Sequence, residues 1–266
     1  MDASRRLAAE YSAKAQSYAR HWAPVIAPMA LPLLRSLPLA DAGCVLDVGT
    51  GTGALVPALR AAAPSAWLAG VDRSEGMLRL AHRAEHLPCA VMDAQRLGLR
   101  SATFDVALLA FVLFHVPQPA QALSEVHRVL RPGGAAGIVC WGDDPGIPGL
   151  DIWAEELAAF GAAPDPRDAS VMQDACMNTP DKLAGLLSAA DFDVVRAWSA
   201  SFVHRWTVPA LLAVQAGCGS ASRRLPSLPR PARAACLRRV RARLARLRGD
   251  ERVYRPEVVF AVARRR

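Results

Sequence analysis

The strongest chemical signal in the chain is the run Val45-Leu46-Asp47-Val48-Gly49-Thr50-Gly51-Thr52-Gly53. Glycines at 49, 51 and 53 let the backbone approach a nucleotide-like ligand closely and turn from a strand into the next helix. Dinucleotide-binding proteins use a similar turn, so the motif alone does not choose the ligand. Three details do. The glycines run G-x-G-x-G, not G-x-G-x-x-G, and the shorter spacing does not match the turn that seats a pyrophosphate. Asp47 stands two residues before the first glycine, where a carboxylate repels a pyrophosphate but attracts the ammonium end of a methionine moiety, directly or through water. Asp72, after Gly70-Val71, and Asp93, in Met92-Asp93-Ala94, close two further apolar runs. Asp72 can accept hydrogen bonds from both ribose hydroxyls, and Asp93 from an adenine amino group. Each acid alone reads as a strand-end or capping residue. Three at the tips of consecutive strands lie where an open α/β sheet binds ligands. Together they favour a sulfonium nucleoside, S-adenosylmethionine (SAM), over a dinucleotide.

The elements that must position these groups follow from periodicity and punctuation. Residues 4–20 read as an amphipathic helix capped by Ser4, with Leu7, Tyr11 and Tyr18 near one face. Pro24 interrupts, a second helix covers 25–37, and Pro38 ends it. From Cys44 the pattern becomes alternating strands and helices. Strands are expected at 44–48, 67–71, 88–92, 104–110 and 135–141. Helices are expected at 54–63, from Ser74 to about Glu85, and at 120–130, the last closed by Arg131-Pro132-Gly133-Gly134. Continuously apolar strands separated by helices imply a parallel, doubly wound α/β sheet buried on both faces. The segment 142–180 is rich in Pro, Gly and Asp and reads as one helix, 150–160, with a connection expected to be mobile. A helix at 180–190 and a strand at 193–202 resume the pattern. Residues 207–248 read as two helices split at 226–231, and 258–263 as a last strand.

Composition narrows the function classes. The chain has 266 residues, 52% of them hydrophobic and 21% charged, enough for one large α/β domain with a modest cap. The formal net charge is +8, which raises a nucleic-acid partner. Two observations disfavour it. Only Lys14 and Lys182 are lysines, so the surplus is arginine, as coding bias toward GC-rich codons produces. The arginines also concentrate near the C-terminus, where Leu237, Val240, Leu244 and Leu247 take one helix face and arginines the solvated other. Cysteines 44, 89, 140, 176, 218 and 236 show no zinc spacing and read as reduced core residues; no metal is expected. The N-terminus lacks the apolar core of a signal peptide, and the apolar run 106–116 is too short for a bilayer. A cytoplasmic protein without membrane contact is expected. The oligomeric state stays open, a homodimer included.

The stretches VLDVGTGTG, GVDRSEGML, MDAQRL, FDVALLAFVLFHVPQP and EVHRVLRPGG, covering roughly residues 44–141 in order, resemble the class I SAM-dependent methyltransferases. Within that family the chain is similar to the small-molecule enzymes related to ubiquinone/menaquinone-type methyltransferases. Beyond residue 142 the likeness is looser, through TPDKLAGLLSAADF and the final strand. Thr50 stands where Cys is common, and Met92 where Gly is common. The resemblance implies a Rossmann-like, mainly parallel seven-stranded sheet with its last strand antiparallel. It places Gly49, Thr50, Gly51 and Gly53 under the methionine and ribose. It places Asp72, with Arg73 beside it, at the ribose, and Met77, Asp93 and Ala94 at the adenine. Ala110 and Phe111 fall beside the methionine portion. Residues 1–40 become an N-terminal helical lid in which Tyr11 and Tyr18 are candidate cofactor contacts, with amphipathic packing as the alternative. Residues 41–266 become the SAM-binding domain, with helical cap insertions at about 142–180 and 207–248.

Methyl transfer from a sulfonium needs alignment more than activation, and a base only where the nucleophile must lose a proton. His115, in the loop after the fourth strand, is the candidate base, with packing under that loop as the alternative. His21 in the lid is weaker. His204 ends a late strand and is a candidate wall of the substrate pocket, while His82, His86 and His127 fall on outer helix faces. Trp141, Trp153 and Trp206 suit either aromatic walls for a flat acceptor or packing inside the cap.

The favoured reading is methyl transfer to a small hydrophobic or aromatic acceptor of secondary metabolism, or a quinone-like compound, on oxygen or carbon. A nucleic-acid methyltransferase is the competitor. Against it, Ala110-Phe111-Val112-Leu113 stands where exocyclic-amine enzymes carry an Asn/Asp-Pro-Pro-aromatic motif. Pro88-Cys89 lies before the third strand ends, away from where a pyrimidine nucleophile belongs. A non-methylating reaction on the same fold with SAM bound, such as a cyclisation, is the third option.

Overall fold

The computed structural model describes residues 2–143 and 146–266. Asp144 and Pro145, part of the connection expected at 142–180, lie outside the described residues. The chain opens with helices α1 (Ala3–His21) and α2 (Ala23–Ser36). Strand β1 (Cys44–Val48), α3 (Val56–Ala62), β2 (Trp67–Asp72), α4 (Glu75–Glu85), β3 (Cys89–Val91), β4 (Phe104–Ala110), α5 (Pro119–Val129) and β5 (Leu130–Trp141) follow. Next come α6 (Pro148–Ala159), α7 (Pro180–Ala189), β6 (Phe192–Ser201) and β7 (His204–Arg205). The chain ends with α8 (Val208–Gly217), α9 (Ser220–Arg224), α10 (Arg230–Arg246), β8 (Val253–Tyr254) and β9 (Glu257–Arg265).

Seven strands form one sheet in the order β3-β2-β1-β4-β5-β9-β6. The pairs from β3 through β5 are parallel, and β9 runs antiparallel to both β5 and β6. The strand order reverses between β1 and β4, and ligands of open sheets bind beyond the strand C-termini at such a point. Alternate residues of each strand enter two separate cores. Val45, Val106 and Leu108 share one core with α2, α3, α6, α8 and α10, while Leu46, Ala107 and Leu109 share the other with α5 and α7. Burial on both faces explains the unbroken apolar runs read from the sequence.

Several details differ from the sequence reading. Asp2, not Ser4, caps α1, its carboxylate accepting from Arg5 N at 2.8 Å. Pro24 sits in the first turn of α2, where its missing N–H costs nothing, so it opens that helix rather than interrupting. The Arg131-Pro132-Gly133-Gly134 stretch does not separate α5 from its strand. Leu130 already pairs with Phe104, and a register shift absorbs the extra residues before Ala135 meets Val106. The region 207–248 holds three helices, not two, and β7 pairs with β8 in a small second sheet. Among the described residues no helix is long and apolar enough to cross a membrane.

Helix α10 packs on α6, and two of its arginines reach across. Arg239 and Arg243 both reach the buried Glu156, at 2.9 Å each, and Arg243 also pairs with Glu155 at 2.5 Å. Those arginine side chains join α10 to α6 through a carboxylate that burial would otherwise make costly.

Candidate functional site

Strands β1, β2 and β4 end side by side, and β1 delivers the chain into the glycine turn. Gly49 adopts φ +76°, and a Cβ there would lie 2.4 Å from Val112 Cγ2. Glycine is therefore needed twice, for the left-handed backbone and for the close passage of the loop after β4. Gly49 N and Thr50 N donate to Val71 O at 2.7 and 3.1 Å, tying the turn to β2. Asp72 completes the tie: its Oδ2 accepts from Gly51 N at 2.9 Å and its Oδ1 from Ser74 N at 2.8 Å. The backbone of Arg73 also donates to this carboxylate, so of its about four acceptor positions roughly one remains.

Of the residues expected at the cofactor, Gly49, Gly51, Asp72, Arg73 and Met77 line one cavity above these strand tips. Ala94, Ala110, Phe111, Tyr11, Tyr18 and His115 line the same cavity. Asp47 and Thr50 line a smaller space behind the turn, bounded also by Gly49, Gly51, Tyr18, Ala110 and Phe111. Gly53 lines neither. Its bare Cα faces Ala81 of α4, where an added Cβ would lie 3.1 Å from the alanine Cβ. Asp93 lies in an adjoining cleft. Its Oδ2 pairs with Arg73 Nη2 at 3.1 Å and its Oδ1 accepts from Gln95 N at 3.0 Å. The structure therefore brings most of the expected set together but turns the Asp93 carboxylate toward Arg73.

The electrostatics of the cavity floor are negative. Asp47 is only 4% exposed, and burial, with the nearby Asp72 charge adding to it, pushes its carboxyl up to about 6. Asp72 is raised by burial too, against the opposing backbone donors of Ser74 and Gly51. Among the described residues no salt bridge reaches Asp47. A buried carboxylate in that position is stabilised by an incoming cation.

The roof is α1. Its inward face carries Ser4, Leu7, Ala8, Tyr11 and Tyr18, a helical stripe. Ser12 Oγ is 2.8 Å from Ser74 Oγ and accepts from Gly76 N at 3.2 Å. A Cβ at Gly76 would lie 2.5 Å from Ser12 O, so α1 and α4 meet backbone to backbone. On its other side α1 is fastened to α9. Arg223 Nη1 meets Glu10 Oε1 at 3.2 Å, Arg223 Nη2 meets Asp165 at 2.9 Å, and Lys14 donates to Glu10 at 2.8 Å and to Ser222 at 2.7 Å. Burial would raise the Asp165 carboxyl, but hydrogen bonds from Arg223 and Arg167 outweigh it and hold it at about 2.

His115 closes a short 3-10 turn, Leu113–His115, after β4. Its Nδ1 lies 3.2 Å from Val171 O and its Nε2 3.0 Å from the Tyr11 hydroxyl. A carbonyl only accepts, so Nδ1 carries the proton and Nε2 accepts from Tyr11. Burial, with the charges of Arg167 and Arg223 acting in the same sense, pulls the His115 pKa down to about 4. The imidazole is neutral at physiological pH with its basic nitrogen facing the cavity roof.

The other candidates sort themselves by position. His21 lines neither cavity, and His82 and His86 are exposed on α4 and at its C-cap. His127 is half-buried, its ring edge-on to Phe192 at 5.1 Å, so it is a packing residue rather than an outer-face one. Trp153 is fully buried within the cap. Trp141 and Trp206 instead line a separate chamber together with Trp22, and His204 packs behind Trp206 at 4.3 Å. The sequence reading had no signal for Trp22 or for the Arg223–Asp165–Glu10 cluster, which join segments far apart in the chain.

Residues 46–138 match the family described as a methyltransferase domain. The demethylmenaquinone methyltransferase of Clavibacter sepedonicus is 30% identical over 201 residues, covering 71% of this chain and 77% of that protein. The ubiquinone/menaquinone biosynthesis C-methyltransferase of Syntrophotalea carbinolica is 39% identical over 109 residues, covering 39% of this chain and 46% of that protein. The match therefore spans less than half the length of the latter relative. Among solved structures, a SAM-dependent methyltransferase from Thermotoga maritima superposes with a TM-score of 0.56 at 17% identity, covering 97% of this chain and 99% of that one. At that identity the likeness concerns the fold.

Proposed function

Because the chain belongs to the SAM-dependent methyltransferases, we propose that it methylates a small, flat, hydrophobic or aromatic acceptor, on oxygen or carbon, in the space between the α1 roof and the cap. The observation that carries this reading is the paired cavities at the tips of β1, β2 and β4, with a buried carboxylate, Asp47, behind the glycine turn and a second, Asp72, beside it. Their chemistry fits a cationic nucleoside. Asp47 suits the ammonium end and Asp72 the ribose hydroxyls. Met77 and Ala94 supply an apolar slot for the adenine, and Ala110 with Phe111 flank the methionine side. Asp93, its carboxylate steadied by Arg73 at 3.1 Å, is placed to accept from the adenine amino group. When bound, SAM supplies an electrophilic methyl group on an already activated leaving group.

The chain's own part is alignment and exclusion of water. Residues 1–40 act as a lid, with Tyr11 and Tyr18 as its inner surface, and the helices within 142–180 and 207–248 act as the acceptor cap. His115 Nε2 receives the acceptor's proton, directly or through the Tyr11 hydroxyl that it already holds at 3.0 Å. A nucleic-acid acceptor finds less support, since Arg239 and Arg243 of the basic helix are engaged by Glu155 and Glu156.

The test is to incubate the protein with SAM carrying a labelled methyl group and small-molecule extracts. Label in a low-mass aromatic product, heavier than its precursor by one methyl group, supports the reading. Label in nucleic acid, or a product of unchanged mass, contradicts it.

A further inference from the structure

Beyond the cofactor cavities lies a second chamber of about 370 Å³. Beside aliphatic side chains of α6 and α8, four aromatic residues from distant parts of the chain line it: Trp22 between α1 and α2, Trp141 at the end of β5, Trp206 after β7, and Tyr254 in β8. The Trp22 and Trp206 rings are nearly parallel, 6° apart in plane with centroids 6.2 Å apart. Trp141 stands 6.1 Å from Trp22 and contacts the Phe111 ring at 4.5 Å. Phe111 also lines both cofactor cavities, so the Phe111–Trp141 pair is the wall that the chamber shares with them. Phe111 holds a left-handed backbone, φ +57°, which a bulky residue adopts only under constraint.

The chamber has one charged lining residue among the described residues, Asp174. It follows the 3-10 turn whose Val171 carbonyl fixes His115, and Gln173 N before it donates to Phe114 O at 2.8 Å. The carboxylate is thereby anchored beside the loop after β4. Among the described residues no salt bridge reaches it, although the chain as a whole carries +8. A carboxylate lining the same chamber as three indoles and a phenol suits a cation whose body is flat. The ring faces attract the cation through their quadrupoles, and the carboxylate supplies the counter-charge. Asp174 is half-buried, and its carboxylate accepts from its own backbone N–H and feels the charge of Arg167. A neutral quinone would fill the same walls but offer this carboxylate no counter-charge, which an ammonium does.

We propose that the methyl acceptor is a planar aromatic molecule carrying a basic amine, its ring against Trp22, Trp141 and Trp206 and its ammonium on Asp174. The inference rests on the reading of the adjoining cavities as the SAM site. The ammonium is the anchor and not the methylated atom, because a protonated nitrogen has no lone pair to offer. The atom methylated is a second group of the same molecule, a hydroxyl or a ring carbon, presented past Phe111. Such a ligand makes the chamber a specificity site, with Asp174 as a binding residue outside the chemistry.

The experiment uses the full chain loaded with S-adenosylhomocysteine and three probes in calorimetric titrations. Tyramine carries a ring and an ammonium, 4-ethylphenol is its counterpart without the amine, and menadione is a neutral quinone. Tyramine should bind about tenfold or more tighter than 4-ethylphenol. Asp174→Asn should remove that preference, while 4-ethylphenol and S-adenosylhomocysteine bind as before. Trp206→Leu should weaken both phenols together. Equal binding of the two phenols, no binding of either, tighter binding of menadione, or a tyramine preference that survives Asp174→Asn each overturns the proposal. The cofactor reading fails separately, if S-adenosylhomocysteine itself does not bind the unaltered protein.

Discussion

The Tyr11 hydroxyl donates to His115 Nε2 across 3.0 Å, joining the roof helix to the turn that follows β4 over 104 residues of sequence. The bond makes the position of α1 and the state of the candidate base one variable. In the closed arrangement the basic nitrogen is occupied by a phenol whose own pKa burial pushes up to about 12, so the pair rests neutral.

Tyr11→Phe should leave His115 Nε2 buried without a donor, at a cost of about 1–3 kcal/mol. Hydrogen exchange along α1 should speed up relative to the sheet. Turnover should fall if the hydroxyl relays the proton, and His115→Gln should lower kcat by about 10²–10⁴ with little change in cofactor affinity. A kcat in His115→Gln equal to that of the wild type would remove the base assignment.

The pH dependence of His115 has a definite sign. Its folded pKa of about 4 lies below the ordinary 6.5, so between these values the unfolded chain binds a proton that the folded chain refuses. The stability tied to the neutral ring is complete above pH 6.5 and is lost as pH falls toward 4, by up to about 3 kcal/mol, less where water reaches the half-buried ring. Asp47, raised to about 6, acts in the opposite direction, so the whole-protein curve mixes the two. The difference in melting temperature between the wild type and His115→Gln isolates the histidine, and it should narrow as the pH drops from 7 to 4.

Gly76→Ala tests the seating of the roof. The added methyl would lie 2.5 Å from the Ser12 carbonyl oxygen, and backbone cannot yield as a side-chain tip does. A destabilisation of about 1–3 kcal/mol is expected. Cofactor affinity should fall with it while the circular dichroism of the sheet is kept.

Arg223→Ala should loosen the other edge of the roof. It leaves Asp165, now held at about 2 by Arg223 and Arg167, with one guanidinium fewer, and strips Glu10 of a cation. Both carboxylates are partly buried, so about 2 kcal/mol is expected, between surface and fully buried pairs. The Asp165 contribution is present above the unfolded pKa near 3.8 and lost as pH falls toward 2. Faster release of S-adenosylhomocysteine in stopped flow would tie the latch to the lid.

The parts legible in the sequence are those whose cause is local. The glycine turn, the strand-end acids and the Ser74 cap of α4 are short-range facts, and β1, β2, β4 and α4 fall within a residue of their expected bounds. Asp93 was legible as a strand-end acid but not as Arg73's partner, because that pairing depends on how the turn after β2 points the guanidinium. Strand β5 begins early because Gly133, at φ +76°, lets the chain bulge and rejoin β4, where punctuation alone reads a stop. The two-residue strands β7 and β8 are too short to show a period, and they set Trp206 and Tyr254 in the chamber wall. The meeting of Glu10 with Arg223, or of Trp22 with Trp206, follows from tertiary packing across some 200 residues, which no local pattern records.

The cofactor assignment is tested most directly by calorimetric titration of the protein and of Asp72→Ala with S-adenosylmethionine and S-adenosylhomocysteine at neutral pH. If Asp72 holds the ribose, the wild type binds both compounds at one site. The variant, deprived of charge-assisted bonds worth about 1.5–3 kcal/mol each, then binds roughly a hundredfold more weakly or not at all while still folding. Unchanged affinity in Asp72→Ala, or no binding by the wild type, would contradict it.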